Sequence, residues 1–335
     1  IMEDLDEAIT LLAGASARAD KAEISVEVAY GLRARANLLM GKWAAAASDA
    51  AKAYGTSTPY SVADVSQPTF YNATDNAWIW GIVVTTEDYL AKTGIVNWPS
   101  NLCSLTGMGY TTAASATDVA YRLINKNLWA KIPETDVRKG WWVDEDLHSP
   151  VLDNGLGEDY AYYWANGMFN GGTFPSKFSP YTNVKFGPDN GTFADTDNAQ
   201  DWPLMRVEEM KLIEAEALGR DNLATGKQKL EEFVRQYRDP SYTCTAGSLD
   251  AFIDEVWFQR RVELWGEGFA LFDILRLKKP IIRQGANYPI NSTFAEIAAE
   301  APIMIYRIPE AETSVNSAIT EADNNPAAMA PTPVN

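Results

Sequence analysis

The sequence predicts an all-α scaffold of antiparallel helical hairpins that carries a long, loop-rich, partly irregular insertion. Two observations predict it. Apolar residues recur at three- and four-residue spacing near the start of the chain and again in its last third. From about Gly55 to Pro203 that period is lost, and Gly, Pro, Asn, Asp, Ser and Thr dominate.

The first helix is predicted over Met2 to Leu12, with Leu5, Ile9 and Leu12 on one face. The second runs from Val26 to Met40 with Val28, Leu32, Ala36 and Leu39 as its stripe. Gly41-Lys42 breaks it, and Trp43 opens an alanine-rich helix to Tyr54. Alanine favours helix and lets a neighbouring helix approach closely. Helix, glycine turn and alanine-rich helix make a hairpin of tetratricopeptide type. A second hairpin is predicted from Leu204 to Leu218 and Ala224 to Tyr237, with Gly219 read as the stop. A third pattern spans Leu249 to Trp265, is interrupted at Gly266-Glu267-Gly268, and resumes from Phe269 to Leu277. The chain is thus expected to be one unit of four segments: helices over 1–55, a ligand-binding region over 56–203, a second helical block over 204–280 and an extended segment over 281–335.

The insertion is too rich in tryptophan to be read as disordered, since disordered segments are poor in aromatics. It holds Trp78, Trp80, Trp98, Trp129, Trp141, Trp142, Trp164 and Trp202. Trp78 and Trp80 flank Ile79 in a strand-like burst and read as structural. The formal net charge of −17 repels phosphate backbones, so nucleic acid is excluded as a partner. Cys103 and Cys244 permit one disulfide without requiring it, and the single histidine, His148, cannot build a histidine-rich zinc site. No stretch approaches a membrane span of about 20 apolar residues. Ile1-Met2-Glu3-Asp4-Leu5 reads as the inside of a helix, so the chain is expected to start part-way through a longer protein.

The downstream helices carry a family resemblance. Arg206-Val207-Glu208-Glu209 through Glu214-Ala215-Glu216-Ala217 resembles one signature of the SusD/RagB family. Gln259-Arg260-Arg261-Val262-Glu263-Leu264-Trp265-Gly266-Glu267-Gly268 with Phe272-Asp273-Ile274-Leu275-Arg276 resembles another. Ile308-Pro309-Glu310, Asn324-Asn325-Pro326, Asp136-Val137-Arg138 and the Arg33 to Trp43 hairpin are similar to further family features. Gln259 stands where the family has Glu, and Ala270 where it has Arg. The resemblance implies a lipid-anchored protein of the outer-membrane cell surface that captures oligosaccharide for a SusC-like TonB-dependent transporter. It implies binding without catalysis, no cofactor, and membrane attachment only through a lipid anchor absent from this chain.

A flat ring can cover the C–H face of a pyranose while neighbouring amides and acids bond its hydroxyls. The candidate ligand-binding residues are therefore Trp98, Trp141, Trp142, Tyr160, Tyr162, Tyr163, Trp164 and Asn166. Against each stands the plain reading that the ring fills the core beneath a loop. Arg206, Glu214, Glu216, Arg260, Arg261, Glu263, Glu267, Asp273 and Arg276 are read as structural ion pairs, because Glu214 and Glu216 point about 200° apart on a helix and do not converge. Calcium ligation by Asp144, Glu145 and Asp146, or by Asp195 to Asn198, fits no loop template. Peptide cargo bound along the helical repeats is the rival reading. A glycoside hydrolase would need two carboxylates facing each other across roughly 5–10 Å.

Overall fold

The structure is a computed structural model, and residues 1–89, 91, 101–107, 121–168, 176–288 and 296–327 are described. The chain divides into two compact units: Ile1–Ile124 with Leu128–Glu267, and Asn125–Asn127 with Gly268–Asn335. The boundary after Glu267 falls inside the block that the sequence groups as 204–280.

In the larger unit, α1 (Met2–Leu12), α2 (Val26–Leu39) and α3 (Trp43–Tyr54) follow the predicted bounds closely. Gly41 turns the chain with a positive φ of 71°, which only glycine adopts freely. The hairpin packs on α7 (Val207–Asp221) through small residues, with Ala34, Ala46, Ala50 and Ala217 fully buried. Strands β1 (Trp78–Ile82) and β2 (Trp202–Arg206) pair antiparallel and lead into α7. The helix α8 (Leu223–Tyr237) returns along α7, and α9 (Leu249–Glu263) packs on both.

Gly219 is not a stop. The helix α7 continues through it to Asp221, and Asn222 ends the turn by capping α8, its Oδ1 accepting the Thr225 N–H at 3.1 Å. Gly219 instead marks where helices touch. A Cβ there would lie 2.1 Å from the Phe252 ring, and one on Gly226 would lie 2.3 Å from the Gly219 Cα.

The region between the hairpins has its own core, in which the large rings of Phe70, Trp78, Trp141, Trp142, Trp164 and Phe186 are sealed among aliphatic side chains such as Leu105, Ile124 and Val184. Its elements are short: α4 (Val62–Val65), α5 (Pro150–Leu156) and α6 (Glu158–Ala165). Such a chain leaves many carbonyls outside any ladder, and each must find a donor. The indoles supply several. Trp141 Nε1 donates to Val65 O at 3.0 Å, Trp164 Nε1 to Ser104 O at 2.9 Å and Trp129 Nε1 to Lys139 O at 3.2 Å.

In the smaller unit, α10 (Ala270–Arg276) is followed by a two-residue ladder between β3 (Ile281–Ile282) and β4 (Glu296–Ile297). The closing motif seen in the sequence acts as a clamp. Asn324 accepts the Ile308 N–H at 2.9 Å and donates to its carbonyl at 3.1 Å, while Asn325 donates to Tyr306 O at 2.6 Å.

Because backbone cannot yield as a flexible side chain can, Gly226→Ala is expected to destabilise the protein by about 2 kcal/mol. A lowered urea midpoint at unchanged slope checks this.

Candidate functional site

The signature charges of the downstream helices lie together, out of solvent. Arg138, Arg206, Arg238 and Lys185 interleave with Asp136, Glu208, Glu263 and Glu267, and all eight are buried. Glu263 is the hub. It accepts from Arg238 at 2.8 and 2.9 Å, from Arg138 at 3.3 Å and from Arg206 at 3.4 Å. Glu267 takes two bonds from Arg206, at 2.9 and 2.8 Å, and one from Lys185 at 2.7 Å. The Lys185 ammonium also donates to Glu263 O and Trp265 O, both at 2.9 Å, and sits 4.8 to 5.0 Å from the rings of Phe70, Phe186 and Trp141.

Gln259 fits its place. Its amide oxygen accepts from Arg138 at 2.5 Å, and its amide nitrogen donates to Glu255 at 2.9 Å, where a carboxylate would repel.

Burial alone would raise the Glu263 and Glu267 carboxyls. The arginines override it: Arg238, with Arg206 and Arg138, holds Glu263 well below the usual carboxylate range, and Arg206 with Lys185 lowers Glu267. Burial brings the Lys185 ammonium down to about 8. Every one of these groups is committed to a partner within the cluster, which holds the helices to the loop-rich region.

The expected stacking residues separate by exposure. Trp141, Trp142 and Trp164 are sealed, at 0%, 1% and 0% exposure, and their candidacy as open rings is corrected. Trp141 stands edge-on to Phe70 at 5.5 Å, Trp142 edge-on to Trp265 at 5.6 Å and Trp164 edge-on to Phe193 at 4.3 Å. They fill the interior alongside aliphatic side chains such as Leu105, Val143 and Val184. Trp98 lies outside the described residues.

Tyr160, Tyr162 and Tyr163 face water, at 57%, 58% and 46% exposure. The helix α6 explains this. Ala161, Trp164 and Ala165, at i, i+3 and i+4, are its buried stripe, so the tyrosines occupy the opposite half. Tyr162 and Tyr163 meet edge to face with centroids 5.9 Å apart. Asn166 ends the helix and donates to Tyr162 O at 3.0 Å. Asp159, one turn before both Tyr162 and Tyr163, is exposed beside them. Flat rings bracketed by a carboxylate and an amide form a shallow surface suited to lying against a ligand.

A cleft of about 470 Å³ opens elsewhere in the larger unit, lined by Trp129, Lys139, Trp142, Asp144 and His148 among others. Its acids are occupied. Asp136 pairs with Arg138 at 2.6 Å, and Asp144 Oδ1 accepts the Asp146 and His148 N–H groups, both at 2.9 Å. His148 pairs with Asp153 at 2.6 Å. Among the described residues no group of His, Cys, Asp or Glu side chains suits a metal ion. Cys103 and Cys244 are buried free thiols, and burial pushes Cys103 up to about 12. No helix among the described residues is long and apolar enough to cross a membrane.

The SusD family model matches residues 126–326, more than half of the chain, and the chain belongs to the SusD family. A SusD-like carbohydrate binding protein from Bacteroides vulgatus superposes with a TM-score of 0.69 at 20% identity, over 97% of this chain and 65% of its own. A SusD superfamily protein from Bacteroides thetaiotaomicron gives 0.68 at 21%, over 97% and 66%. Surface glycan-binding protein A from Bacteroides thetaiotaomicron, in complex with laminarihexaose, gives 0.60 at 15%, over 94% and 68%. This chain spans slightly less than two thirds of the first two. No curated protein matches it in sequence.

Glu263 and Glu267 have lowered pKa values in the fold, so the stability they contribute is fully present above the unfolded value of 4.5 and lost as pH falls below it. Glu267→Gln leaves Arg206 and Lys185 short of a charge partner. It is expected to cost about 3–5 kcal/mol at pH 7. That deficit is expected to narrow as pH drops below about 4.5, where the native carboxylate weakens too. Urea midpoints of both proteins across this range check it.

Proposed function

We propose that the chain captures an oligosaccharide on the exposed tyrosine half of α6 and delivers it, without cleaving it, to a SusC-like TonB-dependent transporter. It does so at the cell surface, held to the outer membrane by a lipid anchor. The observation that carries this reading is that α6 turns three aromatic side chains to water while Trp141, Trp142 and Trp164 are buried. A folded protein exposes contiguous rings where they serve contact. The rings cover sugar C–H faces, and Asp159 and Asn166 bond the hydroxyls. Trp164 is the fastening beneath them, tying α6 to the Ser104 carbonyl. Trp98 stays a proposed contact with no position assigned. The family membership and the named ligand of surface glycan-binding protein A support a sugar over a peptide.

Glycan arrays followed by calorimetry test the proposal. The wild type is expected to bind at least one oligosaccharide class, and Tyr162→Ala and Tyr163→Ala each to weaken it about fivefold, the loss of one stacking contact. Absence of any sugar binding, or binding that neither variant alters, would overturn it. Peptide libraries that bind where sugars fail would favour peptide cargo.

A further inference from the structure

The charges of the segment that carries α6 are one-sided. From Gly140 through Ser176 the chain contains no Lys or Arg, and its acids are Asp144, Glu145, Asp146, Asp153, Glu158 and Asp159. Several are committed elsewhere: Asp153 pairs with His148, Asp144 caps backbone amides, and Glu145 accepts the Tyr181 hydroxyl at 2.7 Å. Glu158 and Asp159 are not. Both are exposed in the first turn of α6 and form no ion pair among the described residues.

Their position on the helix matters more than their number. Asp159 stands three and four residues before Tyr162 and Tyr163, and Glu158 stands four before Tyr162, so both carboxylates share the face the rings present. The positive end of a helix dipole would ordinarily welcome an anion, but two full negative charges in the first turn outweigh about half a charge. The nearest cation in sequence, Lys177, is exposed at the far end of α6, where the Phe178 N–H bonds Ala165 O at 2.8 Å. An eight-residue helix is about 12 Å long, beyond the screening length at physiological salt.

We infer that this face accepts neutral or amine-bearing glycans and rejects uronate- and sulfate-bearing ones, with Asp159 and Glu158 setting the selectivity. The inference rests on the proposed glycan site. A carboxylate beside the rings accepts bonds from vicinal hydroxyls, binds an ammonium more strongly still, and repels a sulfate or uronate brought to the same place.

The test is an array of neutral, amino, uronate and sulfated oligosaccharides of varied linkage. Calorimetry then compares each neutral ligand found with its chemically sulfated derivative, at about 20 mM and about 500 mM salt. At low salt the sulfated partner is expected to bind at least about tenfold more weakly, about fivefold for each carboxylate it meets, and the gap to shrink at high salt. Glu158→Gln with Asp159→Asn is expected to close most of that gap. Both positions are exposed, so the variant is expected to stay folded, its unfolding midpoint lowered only slightly by the lost first-turn charge–dipole contribution. Anionic glycans bound as tightly as neutral ones, or a gap that the double variant leaves intact, would overturn the selectivity while leaving the glycan site standing. Silence across the whole array would instead overturn the glycan reading, and this inference with it.

Discussion

Glu263 receives guanidinium groups from three directions, and the larger unit is organised around that convergence. Arg206 comes from the end of β2, Arg138 from the turn before the aromatic core, and Arg238 from the end of α8. One carboxylate thereby ties the repeat helices to the loop-rich region. Four cations balance four carboxylates there, so the cluster carries no net charge. Burying them is expensive, and only near-complete hydrogen bonding offsets that cost. The geometry therefore admits one arrangement of these segments and penalises others.

Two kinds of core follow from that division of labour. Where helices pack on helices, alanine and glycine bring axes close, and the contact surfaces are smooth. Where loops pack on loops, there is no periodic aliphatic stripe, and indole rings bring both bulk and a hydrogen-bond donor. A leucine would fill similar space yet leave the Val65 or Ser104 carbonyl without its partner. Trp129, Trp141 and Trp164 combine both roles in this irregular backbone.

Helices were legible because periodicity and burial have one cause; α1 and α3 begin and end almost where their patterns do. Gly219 misled because the same residue serves a stop and a close approach, and only the facing Phe252 distinguishes them. The tryptophans misled similarly, since ring chemistry alone does not say which way a ring points. A signal was present at Ala161, Trp164 and Ala165, whose spacing marks an inward stripe and turns the tyrosines outward. It went unread because the segment is short and sits among loops. Lys185 offered no signal: a lone lysine between Val184 and Phe186 reads as surface, and only partners distant in sequence make its burial tolerable.

The three tyrosines of α6 are each about half exposed, and Trp164 fastens the helix from its other side. Their identities are thus less tightly bound to folding than those of Ala161, Trp164 and Ala165. Substitution there changes the exposed surface with little disturbance to the scaffold.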